Sequence, residues 1–212
     1  MRRFPVYLVV GLALLLTNLT STAAADILIA TSTTAPTLTS DLVAVSFQEG
    51  ANAPTVMGTL PGGSTFSFTT PGSLDSLYAH TNGHMRLEAE DGSINVLAIT
   101  GSTIFSGLFA DIFGVYDQDR DHVTVVVNTS GGIYTNVLPM TIGATSSNYL
   151  SIIATAGEQI NSISLGTDAS PARFIALRDI YVSDAQVPEP SSIMLMGTAL
   201  ASISAALRRR RK

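Results

Sequence analysis

The chain of 212 residues contains no cysteine and no tryptophan, and only 13% of its residues are charged. Without cysteine it can form no disulfide, no thiolate-ligated metal site and no thiol nucleophile. Seven of its eleven cations lie at the two ends of the chain, including the only lysine, Lys212. The segment Asp26–Val187 has four arginines against 15 acidic residues, a formal charge of −11. Binding to a phosphate backbone needs clustered cations, so this composition excludes nucleic-acid-binding proteins.

The first 25 residues have the pattern of a secretory signal peptide. Two arginines follow the initial methionine, Val6–Leu16 is an almost unbroken apolar run, and Ala23 and Ala25 provide the small residues of a cleavage site. The apolar run is too short to span a bilayer as a mature helix. We therefore predict that residues 1–25 are removed on export and that the mature chain begins near Asp26.

The C-terminal segment, residues 187–212, combines three features in a fixed order. Pro188, Glu189 and Pro190 come first, and the prolines favour an extended backbone. The uncharged stretch Ile193–Leu207 follows, and its 15 residues would reach about 22 Å as a helix, short of a bilayer core of roughly 30 Å. The sequence thus predicts a transmembrane helix of marginal length. The chain ends in five cations typical of a cytoplasmic stop-transfer signal: Arg208, Arg209, Arg210, Arg211 and Lys212.

This segment resembles the PEP-CTERM sorting domain of exported bacterial proteins, a tail also known under an ice-binding C-terminal name. Pro188, Glu189 and Pro190 match the motif of that family, and Arg208–Arg211 match its basic end. In the family, the tail is recognised by exosortase, an integral-membrane cysteine transpeptidase. The resemblance implies a precursor that is held transiently in the inner membrane, cut near the motif and passed to the cell surface or extracellular matrix. It implies a sorting route and says nothing of the middle of the chain.

The middle of the chain, residues 26–186, is predicted to be one all-β domain. No stretch sustains a helical apolar period, whereas short runs rich in Val, Ile, Thr and Phe are separated by Gly, Pro, Asn and Asp. This pattern favours a single β-sandwich, jelly-roll-like, between the signal peptide and the sorting helix. Asp26–Ser40 is expected to be a poorly structured lead-in or an edge strand. The predicted strands are Val43–Phe47, Thr65–Thr69, Leu77–Thr81, His84–Ala89, Ile94–Thr100, Leu108–Tyr116, Val123–Asn128, Ile133–Leu138, Tyr149–Thr155, Ile160–Leu165 and Phe174–Val182.

Two turn sequences allow the register of neighbouring strands to be predicted. Asn-Gly at residues 82–83 and Asp-Gly at residues 91–92 favour two-residue type I′ hairpins. The first turn would pair His80 with Met85. The two turns together predict a three-stranded meander over Ser76–Thr100. Strand alternation then predicts the residues of its core face. These are Tyr78, Met85, Leu87, Ala89, Ile94, Val96 and Ala98.

An acidic run is the candidate metal site. Asp117, Asp119 and Asp121 alternate along the chain, and Ca²⁺ prefers several carboxylate oxygens around one point. On a straight strand these side chains would stand nearly 7 Å apart, so the run must curl to hold one ion. It lacks the glycine and the glutamate of an EF-hand. The alternative is a solvated hairpin tip, and no other cofactor is expected.

The remaining candidates concern sugars. Five tyrosines could stack on a sugar ring, although tyrosines in strands are more often partly buried for packing alone. They are Tyr78, Tyr116, Tyr134, Tyr149 and Tyr181. The motifs of serine hydrolases, zincins and nucleotide-binding enzymes are absent from the sequence. The 15 acidic residues could still supply the two carboxylates of a glycosidase.

These observations predict an exported, non-enzymatic protein of the cell surface or matrix, with exopolysaccharide as its candidate ligand and an exosortase-type enzyme as its membrane partner. One alternative is a secreted carboxylate-dependent hydrolase such as a glycosidase. Another is a structural surface protein with no small ligand.

Overall fold

In the computed structural model of the protein, the described residues form antiparallel β-strands and no helix. This confirms the prediction of an all-β domain. The structure describes residues 26–38, 41–71, 76–81, 85–90, 92–115, 122–155, 157–167, 169 and 171–184. The strands are β1 Asp26–Ser32, β2 Leu42–Ala44, β3 Ser46–Phe47, β4 Asn52–Ala53, β5 Thr55–Thr59, β6 Thr65–Thr69, β7 Leu77–His80, β8 Arg86–Ala89, β9 Leu97–Val115, β10 His122–Thr129, β11 Ile133–Pro139, β12 Gly143–Thr155, β13 Ile160–Leu165 and β14 Phe174–Asp184.

Strand β9 is the centre of the sheet, because it changes partners along its 19 residues. Its first part pairs with β6 and β13, and its last part pairs with β12 and β14. One group of strands therefore runs β3-β5-β6-β9-β13-β10-β11, and the other runs β1-β12-β9-β14-β8-β7-β4. The change of partners coincides with Gly101, where an added Cβ would collide with the carbonyl oxygen of Thr103. The close backbone approach at this bend requires glycine.

One hydrophobic core contains buried side chains from both strand groups. Phe66 of β6 and Phe105 of β9 meet edge to face with their ring centroids 5.3 Å apart. Phe47 and Phe68 meet in the same way at 5.2 Å. Aromatic pairs prefer this arrangement, and each buried ring removes a large apolar area from water. The two strand groups are thus stabilised mainly by a shared apolar interior.

Several predicted strands are confirmed and others need correction. Strands β6 and β13 have the predicted bounds. The predicted strands Ile94–Thr100 and Leu108–Tyr116 were wrong as separate elements, because β9 continues through the Gly, Ser and Thr residues that resembled a turn. Asp26–Ser32 is an edge strand paired with β12, one of the two expected alternatives. The sequence did not predict β5, in which a strand-interior glycine, Gly58, weakens the pattern.

The predicted register of the first hairpin was wrong by one residue. Strands β7 and β8 do pair, but His80 lies opposite Arg86 and not opposite Met85. A shift of one residue exchanges the two faces of the earlier strand. Leu77 and Ala79 are therefore the buried residues of β7, and Tyr78 is only half-buried.

The predicted meander over Ser76–Thr100 does not form, because β14 and not β9 pairs with β8. This non-local partner lies about ninety residues along the chain, so no local turn sequence reveals it. Ile94 is still buried, but Leu97 and Ile99 face the core in place of their predicted neighbours. The corrected core residues of the segment are Leu77, Ala79, Leu87, Ala89, Ile94, Leu97 and Ile99.

Candidate functional site

The last part of β9 is buried on both of its faces. Successive strand residues point to opposite sides of a sheet. One side belongs to the hydrophobic core through Leu108, Ala110 and Ile112. The other side, here called the outer face, is formed by Gly107, Phe109, Asp111 and Phe113. Phe109 and Asp111 are buried without belonging to the core cluster, so neighbouring strands and connections cover them.

Three aromatic rings cluster on the outer face. Tyr181 of β14 pairs with Phe109, and Tyr149 of β12 lies one strand away on the opposite side. The rings of Phe109 and Tyr149 are nearly parallel, with 10° between their planes and 6.0 Å between their centroids. The ring of Tyr181 is tilted by 48° to that of Phe109 at 6.1 Å. Phe109 is buried, whereas both tyrosines are half-buried, so the cluster has an accessible side.

These rings line a shallow depression of about 500 Å³, here called the aromatic groove. Its size is within the range of small-ligand sites, which combine apolar walls with a few polar groups. The polar groups are provided by Thr81 and Asp179. The remaining lining residues are Ala35, Pro36, Leu38 and Met85. The connection after β1 thus forms one wall and strands β9, β12 and β14 form the floor.

A buried ion pair lies next to the aromatic groove. Arg178 of β14 donates from Nε at 3.1 Å and from Nη2 at 2.6 Å to Oδ2 of Asp111, which is fully buried. The other carboxylate oxygen accepts the backbone N–H of Asn148 at 3.0 Å. Ser147 donates to Asp111 at 3.2 Å, and the guanidinium lies 3.5 Å from the centroid of the Phe113 ring. These contacts join β9, β12 and β14 beneath and beside the groove.

A β-bulge in β14 brings Asp179 to the groove. The register shifts between Arg178 and Tyr181, so two residues of β14 stand opposite one residue of β9. Asp179 has a φ of 48°, a left-handed conformation that aspartate tolerates better than most residues. Its backbone N–H donates to the carbonyl of Met85 at 3.0 Å. The bulge therefore places the half-buried Asp179 beside the half-buried Tyr181.

A second depression of about 310 Å³, here called the serine–carboxylate cleft, lies toward the Gly107 end of the outer face. The hydroxyl of Ser106 donates to Oγ of Ser183 at 3.1 Å, and that of Ser183 donates to Asp41 at 3.3 Å. Glu158 lines the cleft as well. The cleft thus combines two carboxylates and a chain of hydrogen-bonded hydroxyls with apolar walls that include Leu42 and Ile153.

Glu158 holds the tip of the β10–β11 hairpin. Its Oε1 accepts the backbone N–H of Gly131 at 2.5 Å and the hydroxyl of Ser130 at 3.1 Å. Hydrogen bonds from Thr129 first, then from Gly131 and Ser130, hold the pKa of Glu158 below its ordinary value of 4.5, although burial acts in the opposite direction. Donors to the ionised carboxylate favour that form. Glu158 is therefore an anion at neutral pH, suited to accept hydrogen bonds and not to donate a proton.

Of the tyrosines that the sequence offered for stacking, the structure brings Tyr149 and Tyr181 together. Tyr78 instead contacts His80, at 4.4 Å between ring centroids, and Tyr134 lies on β11. Tyr116 lies outside the described residues. Sequence reasoning missed Phe109, because its neighbours on both sides are apolar and no alternation marks its outer face.

The other predicted site residues lie outside the described part of the chain. Within that part, no group of three His, Asp or Glu residues could hold a metal ion, and no helix is long and apolar enough to cross a membrane. The predicted residues concerned are Ala23 and Ala25 of the signal peptide, Asp117, Asp119 and Asp121 of the candidate calcium site, Pro188, Glu189 and Pro190 of the sorting motif, and Arg208, Arg209, Arg210, Arg211 and Lys212 of the basic end.

Comparison with known protein families matches residues 186–211 to the PEP-CTERM protein-sorting motif. The matched range contains Pro188, Glu189 and Pro190. The chain therefore carries this motif, as its sequence predicted. The motif implies an exported protein whose precursor is membrane-anchored and is processed by an exosortase-type system. No curated protein and no solved structure gives a match.

Proposed function

We propose that the protein is a non-enzymatic component of the cell surface or extracellular matrix and that it binds a neutral exopolysaccharide in the aromatic groove. The observation that carries the proposal is the cluster of Phe109, Tyr149 and Tyr181 beside the carboxylate of Asp179. A sugar ring has an apolar face of C–H groups and a rim of hydroxyls. The half-buried rings of Tyr149 and Tyr181 offer flat apolar surface to the face, and the carboxylate can accept hydrogen bonds from the rim.

The charge of the domain supports a neutral ligand. Asp26–Val187 carries a formal charge of −11, and the groove itself contains Asp179. Arg178, which lies beside the groove, is already paired with Asp111. A protein with this field repels polyanions and does not oppose the approach of an uncharged chain. Anionic glycans are therefore poor ligands for this surface.

The alternative of a carboxylate-dependent hydrolase has one supporting observation, because Asp41 and Glu158 line the same cleft. A glycosidase needs one of its two carboxyl groups protonated near the working pH, so that it can act as the general acid. Its hydrogen bonds displace the pKa of Glu158 in the opposite direction, which keeps this carboxylate ionised and unsuited to act as the general acid. In this alternative Asp41 would have to be the general acid and Glu158 the nucleophile or base. A purely structural role without a ligand is the other alternative.

The sorting route completes the proposal. Residues 1–25 act as the signal peptide, and residues 26–186 form a β-sandwich of jelly-roll type whose two strand groups enclose the shared core. The segment Ile193–Leu207 would hold the precursor transiently in the membrane, and Pro188–Pro190 would be the motif that the exosortase-type enzyme recognises. Release by this enzyme would deliver the domain to the surface or the matrix, where exopolysaccharide is available.

The proposal is tested by applying the full-length chain, purified in detergent, to immobilised polysaccharides with and without Ca²⁺. The panel consists of neutral glucan, mannan, galactan and xylan, with alginate and polygalacturonate as anionic members. We expect retention on at least one neutral polysaccharide and none on the anionic members.

Two variants make this experiment specific to the aromatic groove. Tyr149→Ala removes one of its rings, and we expect it to abolish most of the retention. Tyr134→Ala is the matched control, because this half-buried tyrosine lies on β11 and lines neither depression. The proposal would be contradicted if the wild type bound none of the neutral polysaccharides. Equal retention of Tyr149→Ala and the wild type would contradict it as well.

A further inference from the structure

We infer that the aromatic groove and the serine–carboxylate cleft form one continuous site, so that the ligand is a polysaccharide chain bound along its length by at least two consecutive units. This inference rests on the proposed function and adds the class of ligand, an internal stretch of a chain instead of a single sugar or a chain end. It depends on how the two depressions meet at Phe109.

Phe109 lines both depressions. On the outer face of β9 the position before it is Gly107, and two residues along a strand span about 7 Å. Ser183 pairs with Gly107, and Tyr181 pairs with Phe109, so β14 repeats the same order beside β9. On the other side of β9, Ile153 of β12 pairs with Gly107, and Ser151 pairs with Phe109. The hydroxyl-lined and aromatic surfaces therefore follow one another along the same three strands.

The serine–carboxylate cleft has the chemistry of a second sugar subsite. Asp41 and Glu158 provide acceptors for ligand hydroxyls, and the hydroxyls of Ser106 and Ser183 can both donate and accept. The bonds from Ser106 to Ser183 and from Ser183 to Asp41 fix these groups before a ligand arrives. A polyol with many donors suits such a set of acceptors, whereas a carboxylated sugar would meet like charge.

Gly107 keeps the floor of this cleft open. A Cβ at this position would lie 3.3 Å from the carbonyl oxygen of Ile152 and 3.5 Å from Cβ of Ser183, so a side chain fits after a small adjustment. Its φ is not in the left-handed region, and β-branched residues are favoured in strands. Gly107→Val is therefore expected to fold while it fills the cleft. Gly62→Val is the matched control, because an added Cβ there has nothing within 4 Å.

The test compares affinities of the full-length chain for the monosaccharide and for the six-unit oligosaccharide of the neutral polysaccharides named above, by titration calorimetry. Two linked contacts raise affinity strongly over one, so we expect the six-unit ligand to bind the wild type about tenfold tighter or more. We expect Gly107→Val to lose most of this gain and to keep the wild-type affinity for the monosaccharide. Gly62→Val should behave as the wild type. Ser183→Ala, which removes a cleft hydroxyl without adding bulk, should lose part of the gain.

The outcomes separate this inference from the proposed function. If Tyr149→Ala weakens binding but Gly107→Val and Ser183→Ala leave the gain with chain length unchanged, the aromatic groove binds sugar and the inference of an extended site is wrong. The same conclusion follows if the wild type binds both lengths equally. If the wild type binds none of these ligands, both the proposed function and the inference are overturned.

Discussion

The guanidinium of Arg178 lies 2.6 Å from the carboxylate of Asp111, a pair that is 67 residues apart in the chain and fully buried on the aspartate side. The pair links β14 to β9 directly before the bulge at Asp179. Arg178 also covers the ring of Phe113. A charged pair on the outer face thus fixes the strand that presents Asp179 and Tyr181 to the aromatic groove.

Asp111→Asn should therefore destabilise the domain. The substitution leaves the charge of Arg178 without its partner, and breaking a buried pair costs about 3–5 kcal/mol. Because the arginine side chain is 21% exposed, we expect a smaller loss of about 2–4 kcal/mol in the free energy of unfolding. Chemical denaturation followed by circular dichroism measures it.

The matched control is Glu88→Gln, which weakens the more exposed contacts of Glu88 with Arg86 at 3.3 Å and with His80 at 3.1 Å. An exposed pair contributes about 0.2–1 kcal/mol. Equal losses for the two variants would mean that the buried pair has no special role.

The contribution of Glu158 to stability should depend on pH. Its pKa is lower in the folded chain than its ordinary value of 4.5, so its stabilising contribution is present above that value and is lost as the pH falls through the folded pKa. We expect Glu158→Gln to have a lower Tm than the wild type at pH 7. The difference should shrink steadily on acidification below pH 4.5. Glu90→Gln is the control, because Glu90 is exposed; a Tm difference for Glu158→Gln that is constant with pH contradicts the assignment.

The sequence was sufficient to predict all-β structure and many of the strands, because alternation and turn residues are local signals. It was not sufficient where strands meet over long distances. The Asn-Gly turn favoured pairing of His80 with Met85, but burial of Leu77 and Ala79 determines the actual register. The insertion of β14 between β8 and β9 cannot be read from the segment that it separates.

The candidate site was predictable only in part. Two of the five tyrosines considered for stacking, Tyr149 and Tyr181, do line the groove. The third ring, Phe109, is in an apolar run whose two faces look alike in sequence. Asp179 reaches the groove through a bulge, and a bulge inserts one residue that strand alternation does not anticipate.

The sorting motif predicts a clear effect of the tail on localisation. Glu189→Ala, or deletion of residues 187–212, should reduce surface display and cause the protein to accumulate in unsorted form. Immunoblots of membrane, surface and medium fractions measure this. Glu90→Ala changes an exposed acid of the domain and should be sorted normally. Unaltered surface display after removal of the tail would show that the segment does not act in sorting.

The acidic run is a candidate calcium site, with a solvated hairpin tip as the alternative. If Asp117, Asp119 and Asp121 curl around one ion, titration calorimetry of the wild type with Ca²⁺ should give a saturable heat. Asp119→Ala should remove it, since it takes away the central ligand, while Glu90→Ala, at an exposed acid outside the run, should not. Absence of heat with the wild type would leave the run as a solvated hairpin tip.

Binding of a neutral polysaccharide in the aromatic groove can be measured as the Kd of the wild type and of two double variants for the neutral polysaccharide that retains the wild type best. We predict that Tyr149→Ala with Tyr181→Ala raises the Kd by about tenfold or more, which is about 1.4 kcal/mol. Tyr78→Ala with Tyr134→Ala, which removes two tyrosines outside the groove, should leave it unchanged. Equal Kd values for the two double variants would show that the polysaccharide does not bind in the aromatic groove.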